Sequence, residues 1–166
     1  MKIKLNDVNG WIEGTSCVVT ALAALSDETP QTIASLLSDV VADNGGYVEP
    51  LVTSAFNRKH WEEALGRLGF EYLIVGDCAA SDLRNAETIE DFLRSEMPST
   101  ARLVFCKRAD HSDAHVFVVF GDRLVDVYTR GRAADIDSLS LPSEFDDFLV
   151  ACIYEVKVSL GSRRRL

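Results

Sequence analysis

The chain has 166 residues, of which 47% are hydrophobic and 26% are charged, and its formal net charge is −9. This size and balance suit a single globular domain with a substantial buried core. Nucleic acid is not expected as a partner because a strongly acidic protein repels phosphate. A membrane is not expected either, because no apolar run reaches the roughly 18 residues of a spanning helix.

The two ends of the chain predict little structure. Residues 1–10 contain lysines but no apolar run after them, so they do not resemble a secretory signal, and we expect a cytoplasmic location with reduced thiols. The cluster Arg163–Arg165 lies within residues 159–166, which we predict to be a flexible, basic tail. No linker or repeat divides residues 1–166, so one domain is expected.

The first predicted helix begins at Cys17. Ser16, with Thr15 before it, can cap this helix, and the residues that follow through Leu25 leave almost no polar face. A helix that is apolar all round is normally buried. Cys17 is therefore predicted to lie at the N-terminal tip of a buried helix.

Three more helices are predicted after the first. Thr29-Pro30 begins the second, because proline favours the first helical position, and Asn44-Gly45-Gly46 ends it. The third covers about residues 58–68, and the fourth covers about residues 89–97 and stops at Pro98.

Strands are predicted where β-branched and aromatic residues concentrate. They cover about residues 70–75, 102–106, 115–120, 123–128 and 150–158. Gly121-Asp122 separates two of them by a two-residue turn with glycine first, which is typical of a β-hairpin. This order predicts an α+β fold in which N-terminal helices pack on a C-terminal antiparallel β-sheet.

Cys17 is the residue best placed for chemistry. A helix N-terminus presents unpaired backbone N–H groups and a partial positive charge. That environment favours a thiolate, and the same N–H groups can stabilise an oxyanion that forms beside the sulfur. Cys17 is therefore a candidate nucleophile, although a small buried packing residue would fit the same pattern.

The other cysteines do not suggest a site. Cys106 and Cys152 lie within apolar runs and are predicted to be buried packing residues, and Cys78 lies in a polar loop. None of the four cysteines belongs to a CxxC pair, which argues against a zinc site. We expect no cofactor and no metal.

A histidine and an aspartate fall at matching positions of the predicted hairpin. His115 opens one strand, and Asp126 interrupts the apolar run of the next. With Gly121-Asp122 as the turn, Phe117 pairs with Asp126, and His115 becomes a diagonal neighbour on the same face. We therefore predict that Asp126 accepts a hydrogen bond from His115 and leaves the other ring nitrogen free for Cys17.

These residues resemble the papain-like cysteine peptidase superfamily, including its bacterial and phage members, and also look like transglutaminase-type and arylamine N-acetyltransferase-type enzymes. The resemblance lies in the order and context of GTSCVVTAL around Cys17, AHVFVVF around His115 and RLVDVY around Asp126. It implies a papain-like fold in which Cys17 is the nucleophile, His115 is the general base and acid, and Asp126 orients His115.

The same resemblance implies a thiol-dependent hydrolase or acyl transferase that acts on a peptide, isopeptide or amide bond of a protein or peptide substrate. Such enzymes commonly place a glutamine about six residues before the cysteine as an oxyanion donor. Here that position is Trp11, and no glutamine precedes Cys17. The indole N–H of Trp11 and the amide of Asn9 are candidate replacements, beside the backbone N–H of Cys17.

Two other interpretations compete with the enzyme. Without the glutamine, the same fold could serve as a weakly active or inactive binding module that sequesters a partner protein. Alternatively, a metal could bind a set of four residues, although the sequence HSDAH lacks the glutamate of HExxH and lies off a predicted helix. That set is Cys17, His111, His115 and Asp126. The sequence does not predict the oligomeric state.

Overall fold

The computed structural model describes residues 3–46, 58–77, 80–95, 99–110, 112–141 and 143–160. Several residues named in the sequence predictions lie outside these ranges, namely Cys78, Pro98, His111 and Arg163–Arg165. The described helices are α1 (Cys17–Ser26), α2 (Pro30–Asp43), α3 (Arg58–Arg67) and α4 (Ile89–Arg94). The described strands are β1 (Phe70–Asp77), β2 (Ala101–Arg108), β3 (Ala114–Phe120), β4 (Arg123–Val125), β5 (Ala134–Asp135) and β6 (Phe148–Val158).

The six strands form one antiparallel sheet in the order β1-β6-β2-β3-β4-β5. Side chains alternate between its two faces. Val116 and Val118 pack with α1, α2 and α3 on one face, whereas Phe117 and Val119 pack with α4 on the other. Both faces are therefore covered at the centre of the sheet, and the predicted α+β class with helices packed on an antiparallel sheet is confirmed. None of the described helices is long and apolar enough to cross a membrane.

The capping signal around Ser16 places α1 as the sequence predicts. The hydroxyl of Ser16 accepts a hydrogen bond from the backbone N–H of Val19 at 3.1 Å. Every residue of α1 after Cys17 is buried, as a helix without a polar face requires. Cys17 itself is only partly buried. The helix therefore holds its first side chain at the border of the core.

The β3–β4 hairpin also has the predicted turn. Phe120 pairs with Arg123, and Gly121 takes a φ of 59°, a backbone conformation that glycine adopts without strain. The ladder continues as far as the pair of Val118 and Val125. The hairpin therefore brings the start of β3 close to the residue that follows β4.

Two predicted elements are too long. The strand predicted over residues 123–128 ends at Val125, because the backbone N–H of Asp126 donates to Thr129 Oγ1 and its carbonyl accepts from Gly131, which commits both groups to a turn. Asp126 consequently does not join the strand ladder opposite Phe117. The predicted fourth helix ends at Arg94 because the next residue has an extended backbone.

Candidate active site

The structure brings Cys17, His115 and Asp126 to one place, each from a different element. Cys17 is the first residue of α1, His115 is the second residue of β3, and Asp126 directly follows β4. The packing of α1 on β3 fixes the distance between helix tip and strand, and the hairpin fixes the distance between histidine and aspartate. The predicted site residues therefore lie in series, with the imidazole in the middle.

The histidine and the aspartate form a buried hydrogen-bonded pair. His115 Nε2 lies 2.8 Å from Asp126 Oδ2. Only 6% of His115 and 1% of Asp126 is exposed, so water does not compete for this contact. The second carboxylate oxygen, Asp126 Oδ1, accepts from the backbone N–H of Val127 at 2.6 Å. Both oxygens of the buried carboxylate are therefore satisfied.

This arrangement raises the pKa of His115. Burial acts to lower that pKa, but the hydrogen bonds with Asp126 and Cys17 and the negative charges of both residues outweigh burial and raise it to about 10. Burial also raises the pKa of the Asp126 carboxyl, against the opposing effect of the charge on His115. We place the shared proton on the ring at neutral pH. The carboxylate of Asp126 accepts hydrogen bonds from the ring and from the backbone N–H of Val127, and both bonds stabilise its charged form.

The N-terminus of α1 supplies candidate oxyanion donors. The N–H of Val19 donates to the Ser16 hydroxyl, and the N–H of Thr20 donates to the Ser16 carbonyl at 2.9 Å. The N–H groups of Cys17 and Val18 have no acceptor among the described residues. Two free donors thus flank the sulfur, where an oxyanion would form during attack on a carbonyl.

Asp126 is held by a turn that the sequence did not reveal. Thr129 Oγ1 accepts from the Asp126 N–H at 3.0 Å, and the Asp126 carbonyl accepts from the Gly131 N–H at 3.0 Å. The Gly131 carbonyl accepts in turn from the N–H of Val8 at 2.7 Å. A Cβ atom at Gly131 would lie 2.7 Å from Trp11 Cγ, so the indole packs directly on this glycine. The N-terminal segment therefore fastens the turn that presents the carboxylate.

The two side chains predicted as oxyanion donors are placed differently. The indole Nε1 of Trp11 donates to Thr20 Oγ1 at 3.1 Å, so this N–H is already used to attach the N-terminal segment to α1. Asn9 is exposed in a turn. No described contact connects either side chain with Cys17. Both assignments stay predictions, and the backbone donors of α1 are better placed.

Three aromatic rings surround the imidazole of His115. The ring of His115 lies 5.4 Å from that of Phe145, 5.5 Å from that of Tyr128 and 5.9 Å from that of Phe148, measured between centroids. Phe145 and Phe148 are buried, whereas Tyr128 is 43% exposed. Tyr128 is therefore the solvent-exposed member of this group of rings around His115. Sequence reasoning missed it, because ring clustering depends on how residues 143–148 pack on the sheet.

The geometry suits proton transfer and nucleophilic attack. Because the imidazole interacts with both the Cys17 thiol and the Asp126 carboxylate, the site can hold a proton between a sulfur and a leaving group. Among the described residues, no cluster of three or more side chains is arranged to hold a metal ion. His111, one member of the predicted metal set, lies outside those residues.

Comparisons of the chain with protein-family models, with curated proteins and with solved structures find no match. We therefore infer a function from the geometry of the site.

Proposed function

We propose that this protein is a papain-like, thiol-dependent hydrolase or acyl transferase that acts on a peptide, isopeptide or amide bond of a protein or peptide substrate. The observation that carries the proposal is the series Cys17, His115 and Asp126, with a buried 2.8 Å hydrogen bond between the last two. The first member lies at the N-terminus of a buried helix. This combination supports an activated thiol more strongly than any of the three residues does alone.

In the proposed mechanism, the ring of His115 is positively charged beside Cys17. Since the pKa of His115 is raised to about 10, its ring is an imidazolium at neutral pH. Its Nε2–H donates to Asp126, which leaves Nδ1–H for the sulfur of Cys17. A positive ring beside the sulfur stabilises the thiolate, which is the nucleophilic form of cysteine.

Acylation follows from the positions of these groups. The sulfur of Cys17 attacks the carbonyl carbon of the substrate, and the resulting oxyanion accepts hydrogen bonds from the N–H groups of Cys17 and Val18. Nδ1–H of His115 gives its proton to the leaving nitrogen as the C–N bond breaks. A thioester on Cys17 and a free amine are the products of this step.

Deacylation reverses the role of the imidazole. Neutral His115 removes a proton from water or from an acceptor amine, which then attacks the thioester carbonyl. The C–S bond breaks, the thiolate reforms and the imidazolium is restored beside Asp126. Water as the acceptor gives a hydrolase, and an amine gives a transferase.

One observation favours the second candidate, a binding module with little or no activity. The indole N–H of Trp11, which occupies the place of the customary oxyanion side chain, is already bonded to Thr20. A site with only backbone donors would stabilise the oxyanion less, since each such donor is worth about a hundredfold to a thousandfold in rate. On this alternative, the same surface would hold a protein without cleaving it.

An acylation experiment tests the proposal. The protein is mixed with an activated peptide ester, quenched in acid and analysed by intact mass, while release of the alcohol is followed over time. We expect the acyl group on Cys17 and continued turnover, no adduct on Cys17→Ala, and strongly slowed acylation in His115→Ala. Cys152→Ala removes a thiol outside the site and serves as the matched control. Wild-type protein that forms no adduct and releases no alcohol would support the binding module instead.

A further inference from the structure

The strand β1, at the edge of the sheet, exposes several large apolar side chains. It lies at one end of the sheet, and no other described strand pairs with its outer side. Four of the seven large hydrophobic residues that are exposed in the described parts of the chain belong to it. They are Tyr72 (39%), Leu73 (62%), Ile74 (39%) and Val75 (42%). Soluble proteins usually protect such an edge with lysine, proline, a β-bulge or a covering segment. None of these four residues is a lysine or a proline, and the register shift of β1 lies only after Ile74.

The apolar side chains of β1 lie on both faces of the sheet. Ile74 pairs with Tyr154, and the ring of Tyr72 lies 5.4 Å from the ring of Tyr154, which places both β1 residues on the face that carries α3. Leu73 pairs with Glu155 and points to the opposite face. A strand that is apolar on both sides is complemented by another strand, because only a strand offers side chains to both faces at once.

We propose that β1 pairs with β1 of a second copy of this chain, antiparallel and about a two-fold axis, so that two sheets become one. Such an axis keeps each face in register, so it passes through a residue. We place it at Tyr72 or Leu73, because an axis at Ile74 would set Glu71 opposite Asp77. With the axis at Leu73, Leu73 meets its own counterpart on one face and Tyr72 meets Ile74 of the second copy on the other. The strand is self-complementary, which argues for a second copy over an unrelated peptide.

The charges along β1 allow this pairing although the chain carries a net charge of −9. The only acidic residues of the strand are Glu71 and Asp77, near its two ends. With the axis at Tyr72, Glu71 lies opposite Leu73 of the second copy, and with the axis at Leu73 it lies opposite Val75. In neither register does an acid face an acid, and Asp77 is already paired with Arg58 at 3.3 Å.

The pairing leaves the thiol site open. Strands β6 and β2 separate β1 from β3, which carries His115. The second copy therefore adds to the edge far from Cys17, and the dimer does not depend on the proposed function.

Sedimentation equilibrium tests the dimer. We expect wild-type protein at concentrations up to roughly 100 µM to approach twice the 18.3 kDa mass of one chain. Leu73→Lys and Ile74→Lys, one on each face, should restore the single mass. At a concentration low enough for the wild type to be monomeric, their melting temperatures should match that of the wild type, because both side chains are already exposed. Ile12→Lys replaces an apolar residue that is 51% exposed outside β1, and this control should stay dimeric.

Hydrogen exchange supplies the second measurement. Backbone amides on the outer side of β1 should be protected in concentrated wild-type protein and should exchange faster on dilution and in Leu73→Lys. A single-chain mass for the wild type, a dimer that survives both lysine variants, or equal dissociation of Ile12→Lys would each overturn the proposal. A monomer whose β1 amides are protected at every concentration would assign the edge to another segment of the same chain and would overturn it as well.

Discussion

The imidazole of His115 and the carboxylate of Asp126 meet at 2.8 Å with almost no access to solvent, although one belongs to a strand and the other to the turn after its partner strand. The carboxylate orients the ring, and its charge also keeps a proton on the ring against the cost of burial. In the proposed mechanism, Cys17 therefore reacts beside an imidazolium. The reactivity proposed for this protein depends on that charge.

Removal of the charge should lower the pKa of His115. Asp126→Asn keeps the size of the side chain and a hydrogen-bond acceptor but loses the negative charge, so burial then dominates. We expect NMR titration of the ring to show the pKa of His115 falling well below its wild-type value of about 10. An unchanged titration of His115 would mean that Asp126 does not hold its proton.

The same pair predicts how stability depends on pH. Because the pKa of His115 is raised from 6.5 to about 10 in the folded chain, its contribution to stability is complete below about pH 6.5 and is lost as the pH rises through 10. We expect the urea midpoint of the wild type to fall over this interval. His115→Gln, which cannot titrate, should show a shallower decline, and parallel curves for the two proteins would contradict the assignment.

Gly131 is predicted to be the glycine on which the site depends most. Gly131→Ala combines a φ of 70° with a Cβ only 2.7 Å from Trp11 Cγ, so it should cost about 1–2 kcal/mol for the backbone and about 1–3 kcal/mol for overpacking. Gly45→Ala is the matched control, since its φ of 81° is similar and no atom lies within 4 Å of its Cβ position.

Chemical denaturation and acylation rates distinguish the effects of these two variants. Gly131→Ala should lose more stability than Gly45→Ala and should also slow acylation, because its N–H holds the carbonyl of Asp126. Gly45→Ala should lose only the backbone part and should leave acylation unchanged. Equal effects of the two variants on acylation would show that the turn does not position the carboxylate.

A pair of variants tests whether the Trp11 N–H serves the reaction. Trp11→Phe removes the indole N–H and should cost about 1 kcal/mol of stability. Thr20→Val removes its acceptor and also the bond from the Thr20 hydroxyl to the Ser16 carbonyl, so it should cost more stability than Trp11→Phe. If the bond is only structural, both variants should acylate at similar rates. A loss of about a hundredfold in Trp11→Phe alone would instead make the indole an oxyanion donor.

Much of the fold could be predicted because local signals agree with burial. Ser16 caps α1, Pro30 begins α2, and Gly121 sets the hairpin, and each of these depends on a few neighbouring residues. The hairpin register predicts that His115 and Asp126 share a face, although Asp126 reaches the ring from the turn after β4 and not from the strand ladder.

The remaining features depend on distant contacts that no local pattern encodes. β5 has only two residues and forms by pairing with β4, so it carries no alternation to detect. The turn after Val125 depends on Thr129 and Gly131, and Gly131 depends in turn on the packing of Trp11. The sequence also did not predict that the edge strand β1 is exposed, because apolar residues in a strand normally predict burial.

The most direct test of the thiol site is the rate at which iodoacetamide alkylates Cys17 at about pH 6.5, with the alkylated residue identified by peptide mass. We predict that folded wild-type protein reacts at least about tenfold faster than the same cysteine in denatured protein, and that His115→Gln loses this advantage. The buried thiols of Cys106 and Cys152 should stay unmodified in the folded chain. A Cys17 that reacts no faster than a denatured cysteine would contradict the activated thiol on which the proposed function rests.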